Sequence, residues 1–114
     1  MATYTKQFLS GSSLGKPIEI SAVASPGTTV HEATATGNFD EIHLYAWNQG
    51  TASMVLNLEW GGTASANRLQ MTITSNDFPY LVAPGWPLGS TDAIRAYGTA
   101  TGRLFVCGYA NRVV

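Results

Sequence analysis

The sequence predicts an all-β domain, an antiparallel β-sandwich of eight or nine short strands with a jelly-roll-like arrangement. Three observations carry this expectation. The first is a β-hairpin signature: two alternating segments, Phe39–Asn48 and residues 53–60, separated by the turn Gln49, Gly50, Thr51, Ala52. In the first segment Ile42, Leu44 and Ala46 share one face, and Glu41, His43, Tyr45 and Trp47 share the other. In the second, Met54, Leu56, Leu58 and Trp60 oppose Val55, Asn57 and Glu59. The second observation is rhythm: turn residues recur about every eight to twelve positions, as in sandwiches and barrels. The third is that no long segment carries a helical apolar stripe.

Taken in order, residues 3–9 form a first strand that ends at Ser10, Gly11, Ser12, Ser13, Leu14 and Gly15. Residues 17–23 read as a second. Ser25, Pro26, Gly27 and Thr28 then turn the chain into a third at 29–34. After the hairpin, the Gly61 to Ala66 turn leads to a strand at 68–74, with Leu69, Met71 and Ile73 on one face and Gln70, Thr72 and Thr74 on the other. Ser75, Asn76 and Asp77 precede a short run at 79–82 that Pro84, Gly85, Trp86 and Pro87 close, and prolines at both ends argue against a central strand there. Residues 92–97 and 103–109 form the last pair, joined by 98–102. In the final segment Leu104 and Val106 alternate with Phe105, Cys107 and Tyr109, so both faces are covered, either by a central position or by an oligomer contact.

Strands with one strongly apolar face need a second sheet to cover them. The expected core is Ile42, Leu44, Met54, Leu56, Leu58, Leu69, Met71, Ile73, Ile94, Leu104 and Val106. A chain of 114 residues corresponds to one domain, residues 1–114, with 1–14 as a possible N-terminal arm. Its single cysteine, Cys107, forms no intrachain disulfide and reads as a small apolar strand residue. The N-terminus has no apolar signal region and no run is long enough to span a membrane.

Only 11% of the residues are charged, against about 25% in ordinary domains, while 45% are apolar. A surface so poor in charge either faces partners or is a neutral, Thr-rich β surface. The net charge is −1, and the six basic residues, Lys6, Lys16, Arg68, Arg95, Arg103 and Arg112, are scattered, so no phosphate-binding footprint forms and no nucleic-acid partner is expected.

Catalysis and metal binding have little to work with. A nucleophilic triad needs a histidine within reach of a nucleophile and an orienting group, and the candidates are His31 and His43. His43 shares a face with Glu41, but residues two apart on a strand are separated by roughly 7 Å. His31 with Glu32, and Asp40 with Glu41, are adjacent pairs that point to opposite faces, so neither is a ready metal clamp. The expectation is no catalytic residue, no metal ligand and no cofactor.

Aromatic residues remain: three Trp, five Tyr and four Phe. A solvent-facing row of Tyr45 and Trp47, joined by Trp60 or Trp86, could stack on sugar rings, or could seal a sheet or a subunit contact, where Trp and Tyr are enriched. The residues expected at an interface are Tyr4, Phe8, Tyr45, Trp47, Trp86, Phe105 and Tyr109, with Trp86 read as lying in a loop.

The segments Thr5 to Ser12, Gly15-Lys16-Pro17-Ile18, Ala24-Ser25-Pro26-Gly27-Thr28, Phe39-Asp40-Glu41-Ile42, Glu59-Trp60-Gly61-Gly62, Pro84-Gly85 and Gly108 to Val113 together resemble a group of small structural proteins of tailed bacteriophages. The likeness runs almost end to end and consists of turn and strand patterns. Within that group the chain is most similar to capsid decoration, or cement, proteins. The resemblance implies a non-enzymatic virion protein assembled in the host bacterial cytoplasm and placed on the outer surface of the head. Its partners would be the major capsid protein and copies of itself, as a trimer or dimer meeting through aromatic strand faces, with residues 3–14 reaching the shell. A phage tail or baseplate subunit and a carbohydrate-binding β-sandwich module are the alternative readings.

Overall fold

The computed structural model describes residues 3–33, 38–75 and 79–114. Nine strands follow one another: β1 Tyr4–Phe8, β2 Ile18–Glu19, β3 Thr28–Glu32, β4 Phe39–Asn48, β5 Met54–Trp60, β6 Arg68–Ile73, β7 Tyr80–Gly89, β8 Ala93–Tyr97 and β9 Leu104–Val113. Among the described residues one 3-10 turn, Ser65–Asn67, precedes β6.

The strands form two antiparallel sheets packed face to face. One has the order β1-β9-β4-β7, with β2 pairing the other half of β9; its mate has the order β3-β8-β5-β6. If β1 and β2 count as one interrupted strand, the eight strands alternate between the sheets except at the β5–β6 hairpin, as in a jelly roll. The expected fold class holds. Apolar residues at alternate positions drive the arrangement: Ile42, Leu44, Ala46, Leu56, Leu58, Ile94, Ala96, Leu104, Val106 and Ala110 are fully buried between the sheets.

Several local expectations need correction. The two halves expected to form a hairpin, β4 and β5, do not pair but lie in opposite sheets, and so do β8 and β9, expected as the last pair; the turns between them carry the chain across the sandwich, so their apolar faces meet through the core and not side by side. Leu69 and Met71 are only partly buried, because β6 is the outermost strand of its sheet and one flank of its apolar face lies open. The second strand shrinks from seven residues to two, Ile18–Glu19, although Ile20 beyond it still enters the core. The last strand continues past 109 to Val113, pairing β4 along its whole length and occupying the central position allowed by its two covered faces. The turn at Asn76 and Asp77, and position 34 of the expected third strand, lie outside the described residues.

The largest difference is β7. The chain does not turn at Pro84 but runs as a ten-residue strand to Gly89, so Trp86 lies in a strand and not in a loop. Proline is tolerated because β7 is an edge strand paired only with β4. Register shifts between Ile42 and His43, and between Leu44 and Tyr45, absorb the irregular backbone. Gly85, at φ +106°, takes a conformation that L side chains rarely adopt, and a Cβ there would approach the His43 ring at 3.3 Å.

The expected N-terminal arm, residues 1–14, is docked in its described part. Residues Tyr4–Phe8 pair with β9 as an edge strand, and Leu9 is buried. The Gly11 N–H donates to the Val30 carbonyl at 3.0 Å. A Cβ on Gly11 would stand 2.4 Å from the Thr29 carbonyl oxygen, so only glycine lets the two backbones come this close.

Candidate functional site

The outer faces of the two sheets differ in chemistry. On the four-stranded sheet the outward side chains bond to one another. The Gln70 amide donates to Asn57 Oδ1 at 2.7 Å, Arg68 Nη1 donates to the Tyr97 hydroxyl at 2.9 Å, and Arg95 Nη1 donates to Thr29 Oγ1 at 2.7 Å. The buried Glu59 carboxylate accepts from the Ser25 hydroxyl at 2.5 Å and from the Gly27 N–H at 2.7 Å, which closes the 25–27 turn over this face. These groups are satisfied within the chain.

The outer face of the five-stranded sheet is aromatic. Cross-strand register sets the rows. Phe8 stands beside Tyr109, and Tyr109 beside His43. Cys107 stands beside Tyr45, which faces Leu81 on its other side. Phe105 stands between Glu19 of β2 and Trp47. The rings interact directly: His43 stacks on Tyr109 with centroids 4.6 Å apart, and Trp47 on Phe105 at 6.1 Å. Lys6 Nζ sits over the Tyr109 ring at 4.5 Å, a cation–π contact. Tyr4 and Phe8 are the most open of these rings, 65% and 60% exposed, while Tyr45 is 41% and Leu81 52%. Burial pushes the Cys107 thiol pKa above its ordinary value, because the thiolate is poorly solvated among these side chains.

Six of the seven residues expected at an interface, Tyr4, Phe8, Tyr45, Trp47, Phe105 and Tyr109, therefore share one sheet face. The seventh, Trp86, does not. It lies at the sandwich edge where β6 and β7 run along the two sheet margins, and it meets Trp60 edge to face with centroids 5.8 Å apart and planes at 74°. Trp60 Nε1 donates to the Pro87 carbonyl at 3.1 Å. The two indoles, with Asn67, Arg68, Leu69 and Pro87, line an open cleft of about 490 Å3.

The histidines also separate. His43 lies on the aromatic face, and among the described residues it makes no hydrogen bond or ion pair with Glu41; its ring is taken by Tyr109. His31 is buried, 1% exposed, and pairs with Asp40, equally buried: His31 Nε2 and Asp40 Oδ2 are 2.7 Å apart. The Ser10 N–H donates to His31 Nδ1 at 3.0 Å, which assigns the ring proton to Nε2. Arg112 Nε reaches the other carboxylate oxygen at 3.3 Å. Sequence reasoning missed this pair because neighbours in sequence, not residues nine apart on different sheets, were compared. Both ring nitrogens of His31 are committed, and its position holds the chain after β1 against β3. Among the described residues, no group of three or more His, Cys, Asp or Glu is placed to hold a metal ion.

Asn67 and Arg68 of the edge cleft carried no sequence signal. Only the fold brings the turn after Trp60 beside Trp86, eighteen or more positions further along. No family model, curated protein or solved structure matches the chain.

Proposed function

We propose that the chain is a non-enzymatic structural subunit that assembles through the outer face of its five-stranded sheet, and that the assembly is the head of a tailed phage. In this reading it is a decoration, or cement, protein on the outer surface of the shell. Its partners are the major capsid protein and its own copies, as a trimer or dimer. The observation that carries the assembly reading is the asymmetry of the two faces. The four-stranded sheet closes its polar groups on itself, whereas the five-stranded sheet presents a continuous row of partly exposed rings with few charges, among them Lys6, Glu19 and Glu41.

Large apolar patches on small domains mark interaction surfaces, and aromatic residues are enriched at their centres. Repetition over a symmetric shell multiplies modest single contacts into firm attachment. The phage setting rests on the resemblance of the turn and strand patterns. The low charge supports it, since a coat built on flat aromatic contact has little use for electrostatic steering.

The test is co-sedimentation of the purified protein with expanded heads assembled without it, after its solution mass is fixed by light scattering. Saturable binding at a fixed ratio per capsomer is expected, together with a mass two or three times the 12.1 kDa of one chain. Tyr45→Asp places a charge in the middle of the aromatic face and should reduce the oligomer to monomers while the fold persists. A monomeric wild-type protein that ignores heads would overturn the proposal. A protein that joins tail assemblies instead would move the subunit to the tail.

A further inference from the structure

We propose that the cleft between Trp60 and Trp86 is a carbohydrate site that seats a pyranose ring with its C–H face on the Trp86 indole. The site lies on the sandwich edge and not on the aromatic sheet face, so the proposal stands independently of the shell reading.

The cleft has the size and make-up of a small-ligand site: concave, mostly apolar and bordered by a few polar groups. Its platform is already ordered. The Trp60 indole N–H is bound to the Pro87 carbonyl, and the edge-to-face contact with Trp60 braces the Trp86 ring. Trp86 itself is 42% exposed and, among the described residues, its indole N–H makes no hydrogen bond. A flat, rigid and open ring with a free donor at its rim is what a sugar needs from an aromatic side chain.

The polar groups complete the match. The Asn67 amide nitrogen donates to the Trp60 carbonyl at 3.1 Å, which leaves Oδ1 as an acceptor. Arg68 also lines the cleft, but its guanidinium bonds the Tyr97 hydroxyl across β5, so the donor at the rim is the Trp86 indole N–H. Apolar face, donor and acceptor thus meet in one small space. A pyranose presents the complement: one face of C–H groups ringed by hydroxyls that both donate and accept. An acyl chain would leave the polar rim unused. A nucleotide would need more positive charge than Arg68 alone supplies.

The experiment follows the three tryptophan indole N–H signals of the intact 15N-labelled protein during titration. The probes are cellotetraose, laminaritetraose, mannotetraose, chitotetraose and tetragalacturonate, each to about 10 mM, above the millimolar range of a site that holds few ring atoms. At least one should shift the Trp86 and Trp60 signals saturably and leave Trp47 unmoved. Trp86→Ala should weaken that binding at least tenfold, and Tyr45→Ala should not. Trp86→Phe, which keeps a ring but loses the N–H, serves if the alanine variant fails to fold. No shift from any of the five glycans would overturn the proposal. So would a Trp86 signal that moves on dilution of the protein alone, because a neighbouring copy would then fill the cleft.

Discussion

Removing the Asp40 carboxylate should destabilise the protein by about 2 to 3.5 kcal/mol, and the size follows from the contacts. The His31 bond to Asp40 is short, 2.7 Å, and both side chains are 1% exposed. A hydrogen bond to an ionised group is worth about 1.5 to 3 kcal/mol, and deleting its acceptor strands the imidazole N–H out of reach of water. The Arg112 contact is longer, 3.3 Å, and Arg112 is 22% exposed, so solvent screening limits it to about 0.5 kcal/mol. For a chain of this length each kcal/mol moves the midpoint of thermal unfolding by about 4 °C, so Asp40→Ala should melt about 8 to 14 °C lower. Asp40→Asn keeps an acceptor for His31 and loses the charge, which should cost about 1 kcal/mol. Urea unfolding followed by tryptophan emission and circular dichroism measures both variants. An alanine variant within about 0.5 kcal/mol of wild type, or an asparagine variant as damaged as the alanine one, would refute the account.

Two further outcomes are expected. Gly108→Ala should destabilise the fold by about 3 kcal/mol or more, or prevent folding, because its Cβ would fall 1.9 Å from the His43 carbonyl oxygen in the adjoining central strand; a urea midpoint near wild type would contradict this packing. Cys107, its thiol pKa raised by burial, should react with iodoacetamide at pH 8 more slowly than a free thiol. The unfolded chain gives up that proton first, so the Cys107 contribution to stability should fall as pH rises through the unfolded thiol pKa. Labelling of the folded protein at the free-thiol rate would rule out the burial.

The sequence showed the sandwich well where one face of a strand is apolar and the other is not. Ile42, Leu44, Leu56, Leu58, Leu104 and Val106 follow a strict period of two and are all buried. It misled at β7, because Pro84 and Pro87 signal a break unless the strand is known to lie at an edge, and edge position is a property of the sheet. The aromatic face was half legible. Parity alone places Tyr45 with Trp47 and Phe105 with Tyr109, but only register brings Phe8 beside Tyr109 and Tyr109 beside His43. Long-range partners were invisible for the same reason: nothing local ties His31 to Asp40, or Asn67 and Arg68 to Trp86.

Strand β1 holds its place on unusual terms. Its five residues contribute almost nothing to the core, since all but Gln7 are exposed, and its attachment rests on the backbone ladder to β9 and on Lys6 above Tyr109. Backbone pairing without buried side chains barely offsets the entropy of ordering a segment. The first strand should therefore open at far lower free energy than the rest of the sheet, with amide protons that exchange long before those of β4. Its anchor lies just beyond it, at Leu9, Ser10 and Gly11. The first strand should thus behave as a short flap on a rigid body, and any neighbour that covers Tyr4 and Phe8 would set the flap's resting position without disturbing the body.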